Sequence, residues 1–227
     1  LPATATEDDH FALLAWLNSS VACFWMKQVF YPKASGINDI SVEKGRAEAN
    51  RYEFAGTGML ALPVPSIATQ AGERRDAVIS LTRELDVLAQ KRSSVDPAAT
   101  LANWGGSSVG ELKAAFLAAS AESDHLFRQM VVLQEELDWI GYAAIGLCTV
   151  RPRVQGEADP EQRPFAWDGD IAPTALDPAL RDEWTARRAL LSSQSGLRLL
   201  EDVMFKRPWE GRRGVFGHGA LTWDERV

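Results

Sequence analysis

The stretch SVGELKAAFLAASAESDHLFRQMVVLQEELDWI, Ser108 to Ile140, decides the fold. It opens with Ser-x-x-Glu, a capping box in which Ser108 and Glu111 each satisfy a backbone amide at the start of a helix. Apolar and small residues then recur at alternating steps of four and three, which places them on one face of a single long helix and is typical of a coiled-coil-like seam. The seam residues are Leu112, Phe116, Ala119, Ser123, Leu126, Met130, Leu133, Leu137 and Ile140.

A shorter pattern predicts the partner of this helix. Val78, Leu81, Leu85 and Leu88 repeat at steps of three and four, so they also share one helix face. A connector that contains Pro, Gly and Ser, residues 93–107, separates the two patterns. We therefore expect residues 71–150 to form a helical hairpin, a coiled-coil-like spacer whose two helices pack antiparallel through their apolar faces.

The segment before the hairpin, residues 1–70, predicts a helix, a loop and a short strand. An amphipathic helix follows an acidic first turn and ends before Tyr31-Pro32. A polar loop leads into RYEFAGTGMLALPVP, residues 51–65. Two prolines confine this stretch to a sheet edge or a strand end, so we expect a short extended element there.

The segment after the hairpin, residues 151–227, begins with a loop rich in Pro, Gly and acidic residues. A helix with Leu180, Trp184 and Leu191 on one face should follow. Together the three segments predict a mainly α fold with a small β element, organised around the antiparallel pair of long helices.

Composition limits the classes of function. Hydrophobic residues make up 46% of the 227 residues and charged residues 24%, an ordinary balance for a soluble globular chain. The net charge of -7 excludes a polycation, so contact with nucleic acid would need a local basic cluster. Two distant cysteines, with neither a leader nor an unbroken apolar span, predict a cytoplasmic protein without a membrane segment. Because the chain begins with Leu rather than Met, we expect a piece of a longer polypeptide.

The stretch EFAGTGM, Glu53 to Met59, has the Phe-x-Gly-x-Gly spacing that begins the cofactor pocket of many S-adenosylmethionine-dependent methyltransferases. Such a glycine loop requires a buried strand before it and a helix after it. Here the polar EKGRAEANRY precedes it, LALPVP follows it, and the Pro-Pro motif that grips a flipped adenine is absent from the sequence. We therefore expect a glycine-rich turn, and no catalytic, cofactor-binding or metal-binding residue in this chain.

The ionisable residues of the long helix do not indicate catalysis either. Glu135, Glu136 and Asp138 form an acidic cluster mostly outside the apolar seam, and we interpret them as solvated charges. The three histidines of the chain are isolated from one another and lack metal-ligand spacing.

Two groups of basic residues are candidates for contact with DNA phosphates. One lies in and just after the polar loop, and the other lies near Trp209, on which a base could stack. For the second group, cations that match the dipole at a helix end explain the pattern equally well. The candidate DNA-binding residues are Lys33, Lys44, Arg46, Arg51, Lys206, Arg207, Arg212 and Arg213.

Four stretches follow one another between residues 11 and 209: LLAWLNSSVACFWMKQV, RYEFAGTGMLALPVP, MVVLQEELDWIGYAAIGL and LRLLEDVMFKRPW. In this order they resemble elements in the C-terminal region of large adenine-N6 DNA methyltransferases. These include the BREX phage-resistance methyltransferases and the fused restriction–modification enzymes of the Eco57I type. The chain departs from that family at Ile145, where the family has Tyr, and at Pro208, where it has a second Arg.

The resemblance implies a place for the chain within a larger enzyme. Residues 1–70 would be the end of the target-recognition region, residues 71–150 the helical spacer, and residues 151–227 a C-terminal loop and helical region. The methyltransferase domain and its S-adenosylmethionine site would lie N-terminal to this chain, in the parent enzyme. Double-stranded DNA would be the partner of the intact enzyme, in restriction–modification or phage defence.

An interpretation from a different class stays open beside this one. The chain could be a protein-interaction scaffold that docks other defence-system subunits through Trp-rich helix faces. Its overall acidity favours the scaffold for the chain alone, whereas the resemblance favours a DNA-recognition module within the intact enzyme.

Overall fold

A computed structural model describes residues 3–30, 55–70, 72–106 and 108–201, and the regular structure within these ranges is helical. The predicted mainly α fold is therefore confirmed. Within the described ranges, no helix combines the length and the apolar character needed to cross a bilayer. The helices are α1 Glu7–Leu17, α2 Ser20–Val29, α3 Gly56–Met59, α4 Ser66–Thr69, α5 Glu73–Ser94, α6 Pro97–Ala102, α7 Val109–Ala144, α8 Pro178–Ser193 and α9 Ser195–Glu201, with 3-10 turns at Pro160–Gln162 and Pro164–Ala166.

The first expected helix is in fact two helices. α1 ends at Leu17 and α2 begins after Ser19, whose Oγ donates to the carbonyl of Trp16 over 2.7 Å and accepts from the N–H of Ala22 over 3.2 Å. A serine that binds backbone groups on both sides caps the second helix and ends the first. This break allows α1 to pack mainly against α5 while α2 packs against α7.

The expected β element is not seen in the described part of its range, residues 55–65. Gly56–Met59 forms a single helical turn instead, in which the N–H groups of Met59 and Leu60 donate to the carbonyls of Ala55 and Gly56 over 3.1 Å each. Pro63 and Pro65, which we expected to confine a strand to a sheet edge, come after the turn and do not oppose it.

The predicted pairing of the two apolar seams is confirmed. Leu126, Met130, Leu133 and Leu137 of α7 form one buried cluster with Val78, Leu81 and Leu88 of α5. The helices run antiparallel. Val78, near the start of α5, shares a small cavity with Leu137, whereas Arg92, near its end, lies 4.6 Å over the ring of Phe127.

The second half of α7 is the centre of the described structure. Residues 130–139 are buried on every side. One side contacts α5, a second joins Trp139 and Tyr142 to α1, α2 and α9, and a third packs Val131 and Val132 against Trp167 and Trp184. A helix that is buried all round belongs to the core of a domain rather than to its surface.

The first half of α7 is much less covered. Residues 109–122 include no buried position, and the seam residues Leu112, Phe116 and Ala119 are only half-buried. The apolar seam is therefore covered along the second half of α7 and not along the first. The reason is length: α5 has 22 residues and α7 has 36, so α5 ends before it can cover the start of α7.

Candidate functional site

The eight basic residues expected to contact DNA all lie outside the described residues, within 31–54 and 202–227. The structure does show where the chain leaves and rejoins the described part on either side of residues 31–54. It leaves at Phe30, the residue that caps α2, and rejoins at Ala55, the residue that precedes α3. The side chain of Phe30 reaches the α3 turn.

Phe30 and Gly58 meet at this junction. A Cβ atom on Gly58 would lie 2.5 Å from Cε1 and 2.8 Å from Cζ of Phe30, closer than real side chains approach. Gly56 has open space around it, with nothing within 4 Å of such an atom. A side chain at position 58 would therefore require the Phe30 ring to shift, whereas position 56 has room for one. The buried Phe30 ring is also met edge-on by Trp25, at 6.3 Å between ring centroids.

Both sides of the junction are attached to the core. After α3, Leu62 is buried and the carbonyl of Pro63 accepts a hydrogen bond from Nε1 of Trp16 over 2.9 Å. At the start of α2, the N–H of Ser20 donates to Oδ1 of Asp138 over 2.7 Å. A carboxylate at this position also complements the positive end of the helix dipole. The junction is thus connected through α2 to the most buried part of α7.

The acidic cluster of α7 is buried, so its interpretation as solvated charge is wrong. Glu135, Glu136 and Asp138 are 2%, 3% and 1% exposed. The reason is that Arg163 and Arg187, themselves 1% and 0% exposed, approach from the C-terminal part of the chain. Carboxylates enter a protein interior when cations and hydrogen-bond donors accompany them.

Arg163 pairs with two of these carboxylates at once. Its Nε donates to Oε2 of Glu135, and its Nη2 donates to Oδ2 of Asp138 over 2.9 Å. The second oxygen of Glu135 accepts from Nε1 of Trp139 over 2.7 Å, and the second oxygen of Asp138 accepts from Ser20. Burial lowers the pKa of Arg163, but the two carboxylates outweigh that effect and raise it above the ordinary value.

Arg187 of α8 joins three parts of the structure. Its Nη1 and Nη2 lie 2.8 and 3.0 Å from the two oxygens of Glu136, and Nη2 also donates to the carbonyl of Pro152 over 3.1 Å. Its Nε lies 3.1 Å from Glu183, which Arg151 holds through two hydrogen bonds of 2.8 Å. Arg187 therefore ties α8 and the segment after α7 to α7 itself.

This arrangement neutralises the buried carboxylates of α7 and connects α7 to the C-terminal part of the described chain, and it presents no reacting group. Burial raises the pKa of Glu136, and the charge of Arg187 offsets this only in part. Burial also raises the pKa of the Cys148 thiol, which disfavours the reactive thiolate. Within the described ranges, no cluster of His, Cys, Asp and Glu could hold a metal ion. The cavity beside Gly141, about 20 Å³, has room for about one water molecule.

Sequence reasoning missed Arg163 and Arg187. One signal for the burial of the three acids was available in the sequence. Val131, Val132 and Trp139 lie beside the acids on faces outside the seam, and apolar residues on those faces indicate a helix that is buried all round. The identity of the partners was not available, because the pairs join residues 25 to 51 positions apart in the chain.

Comparison with known proteins shows that the chain is similar to part of an adenine-specific methyltransferase. The chain is 33% identical over 159 residues to "Adenine-specific methyltransferase PglX" of Streptomyces coelicolor (strain ATCC BAA-471 / A3(2) / M145). The match covers 68% of this chain and 12% of that protein, so the chain spans only a small part of its relative. No protein-family model matches the chain. No solved structure matches it either.

Proposed function

We propose that this chain is a DNA-recognition and positioning module from an N6-adenine DNA methyltransferase of the restriction–modification or phage-defence type. The observation that carries the proposal is the 33% identity to part of an adenine-specific methyltransferase. In this proposal S-adenosylmethionine and the catalytic residues belong to an N-terminal domain of the parent enzyme. Double-stranded DNA is the partner, and other defence-system proteins are candidates for further partners.

The charges of the described part support the proposal that the DNA contacts lie in other parts of the chain. Eight arginines of this part lie in ion pairs with carboxylates, so their charge is largely neutralised locally; they are Arg75, Arg83, Arg128, Arg151, Arg153, Arg163, Arg187 and Arg188. Such a framework attracts DNA only weakly. The proposed phosphate contacts are accordingly the two basic groups at residues 33–51 and 206–213.

The helical framework supports the positioning part of the proposal. A base that is to be methylated must leave the duplex, so the module that reads the sequence must sit at a fixed distance from the active site. The α5–α7 pair, fixed by a buried apolar seam, provides a stiff support of that kind, and buried ion pairs attach Arg163 and Arg187 to α7.

The scaffold interpretation has one observation in its favour. Val109, Leu117 and Leu101 are 83%, 63% and 55% exposed on and near the uncovered half of α7, where a protein partner could bind. The Trp-rich helix faces through which such a scaffold was expected to dock have less support. Four tryptophans are buried and do not form such faces on the surface: Trp16, Trp139, Trp167 and Trp184.

A DNA-binding measurement with a matched control tests the proposal. One variant of the 227-residue chain replaces Lys33, Lys44, Arg46 and Arg51 with Ala. The control variant makes the same change in charge at the exposed residues Arg74, Lys91, Lys113 and Arg198. Affinity for duplex DNA is measured across a salt series for both variants and for the unchanged chain.

The first variant should bind all duplexes more weakly, and its log–log salt dependence should be flatter by about 0.9 for each phosphate that it no longer neutralises. The control should keep the original slope. Lys206→Ala combined with Arg207→Ala should flatten it by up to about two units. If the unchanged chain does not bind duplex DNA, or both four-site variants weaken binding equally, the scaffold becomes the better explanation.

A further inference from the structure

We propose that the uncovered first half of α7 is a surface through which two copies of this chain associate, with their α7 helices antiparallel. The inference goes beyond the proposed function and does not rest on it. The name exposed face refers below to the outward side of this half, where helical spacing brings side chains together on the side away from the seam. The members of the exposed face are Lys113, Ala114, Leu117, Ala118, Ala121 and Asp124.

The surface around the exposed face is almost free of charge. Within residues 97–121, which include α6 and most of the first half of α7, Glu111 and Lys113 are the only charged residues, whereas charged residues make up 24% of the whole chain. The described residues of this stretch after Pro97 are exposed or half-buried. A helix normally carries charged residues on the side that faces water, and depletion of charge marks the core of protein interfaces. This surface therefore has the composition of one that another protein covers.

The shape of the exposed face favours a helix as the occupant. Three of its members are alanines, which allow a second helix to approach closely, because the distance between packed helices depends on the side chains at the contact. Leu117 stands among them and is 63% exposed, so its burial would contribute to association. Val109 and Leu101 are 83% and 55% exposed nearby and extend the apolar surface towards α6.

The charges of the exposed face favour a second copy of this chain as that helix. Asp124 follows Lys113 by eleven residues, about three turns, so the two lie on one line along the helix. When two copies run antiparallel about a two-fold axis, the same flank of each helix meets, and the positive end of this line faces the negative end of the other. With both Leu117 side chains beside the axis, Lys113 lies opposite Ala121 of the other copy, and its long side chain reaches Asp124 there. A parallel copy in register would place equal charges side by side.

The length of the exposed face predicts a weak association. Residues 109–122 span about 21 Å. Two helical faces of this length bury less surface than the about 1,200 Å² at the lower end of stable interfaces. The dimer should therefore dissociate on dilution. Two copies that each carry a net charge of -7 also repel one another, which favours contact through the nearly neutral surface.

Sedimentation equilibrium of the 227-residue chain over a wide range of concentrations tests the proposal. The chain should show a monomer–dimer equilibrium. Leu117→Glu should raise the dissociation constant at least about tenfold, because it places two like charges beside the axis. Leu60→Glu is the matched control, since it makes the same change at a leucine that is 89% exposed and lies outside the exposed face. It should leave the dissociation constant unchanged.

An exchange of charges tests the antiparallel arrangement itself. Lys113→Glu and Asp124→Lys should each weaken the dimer about threefold or more, because each turns two attractive pairs into repulsive ones. The double variant restores both pairs with their signs exchanged and should recover the original dissociation constant. Lys91→Glu makes the first charge change at an exposed residue of α5 and is the control for net charge. A role of these residues within one copy would change stability without this recovery of association.

Each contrary outcome overturns the proposal at a defined point. A chain that stays monomeric at every concentration has no such interface. If Leu117→Glu dimerises as well as Leu60→Glu, the copies associate through another surface. If the double charge exchange does not recover the dimer that the single changes weaken, the helices are not antiparallel as proposed. Should Leu117→Glu fail to fold, the charge exchange alone decides. None of these measurements involves DNA, so they leave the proposed function to its own test.

Discussion

Two faces of the second half of α7 are buried equally well by opposite chemistry. The seam face, with Leu126, Leu133 and Leu137, packs against the apolar face of α5. The charged face, with Glu135, Glu136 and Asp138, packs against Arg163 and Arg187. Burial alone therefore does not say how a helix face is stabilised, and the two faces should respond differently to substitution.

The difference lies in what happens to each face when one member is removed. A truncated leucine leaves a cavity, and its neighbours relax to fill part of it. A truncated arginine leaves carboxylates inside the protein without their counter-charge, which relaxation does not repair. The charged face should therefore be the more sensitive of the two, although an intact buried ion pair contributes little net stability.

Arg163→Met should have the largest effect on stability. It leaves Glu135 and Asp138 buried without their cation, which should lower the free energy of unfolding by about 3–5 kcal/mol. Arg188→Met is the control, since Arg188 is 19% exposed and pairs with Asp170, which is 70% exposed. Chemical denaturation compares the two variants, and equal midpoints would show that the charged face is not the sensitive one.

Leu133→Ala tests the seam face, with an expected decrease in stability of about 2–5 kcal/mol from reduced apolar burial and the cavity left behind. Leu117→Ala makes the same change on the uncovered half of the same helix, where the side chain is 63% exposed. It should change stability by less than about 0.5 kcal/mol. Denaturant midpoints that move equally would mean that α5 does not cover Leu133.

The pH dependence of stability tests a single carboxylate of the charged face, Glu136. Because burial raises the pKa of Glu136 above its unfolded value, the folded state binds more protons than the unfolded state between those two values. The stability that protonation of Glu136 contributes is thus present below the unfolded pKa, about 4.3. It is lost as pH rises through the folded pKa.

Glu136→Gln should remove this dependence. Relative to that variant, the unchanged protein should lose stability as pH rises from about 4 through the folded pKa of Glu136. Asp9→Asn is the contrast, because hydrogen bonds from Thr6 lower the pKa of Asp9. Relative to Asp9→Asn, the unchanged protein should lose stability as pH falls through the folded pKa of Asp9. Denaturation curves at a series of pH values give both slopes, and slopes of the same sign would contradict the assigned shifts.

The seam face and the charged face also differ in how far they could be predicted from the sequence. Local periodicity was sufficient for α7, for the capping box at Ser108 and for the two apolar faces through which α7 pairs with α5, since each of these patterns repeats within one helix. The break at Ser19, the helical turn at Gly56–Met59 and the burial of Glu135 depend on particular contacts. Ser19 offered a local capping signal that could have been used.

The contact of Gly58 with Phe30 and the pairing of Glu135 with Arg163 join distant parts of the chain, and periodicity carries no information about them. The eight proposed DNA contacts stay predictions, because they lie outside the described residues.

Arg83→Gln should have the smallest effect and completes the comparison between buried and exposed charge. Arg83 pairs with Glu7 at 2.8 Å and Asp8 at 2.6 Å, but all three side chains are 41% exposed or more, so water already screens the pairs. The Debye length falls from about 10 Å at 0.1 M salt to about 3 Å at 1 M, so the electrostatic part of the effect should shrink as salt is added. Destabilisation that persists at high salt comes from the hydrogen bonds of Arg83 to Glu7 and Asp8 and from its contact with the ring of Phe11, 4.6 Å away. Arg163→Met should destabilise the protein equally at both salt concentrations, because its carboxylate partners are 2% exposed and hardly screened. Thermal unfolding of both variants at the two salt concentrations makes the comparison. If salt relieves the Arg163 variant as much as it relieves the Arg83 variant, the charged face of α7 is open to solvent and is not a buried ion-pair network.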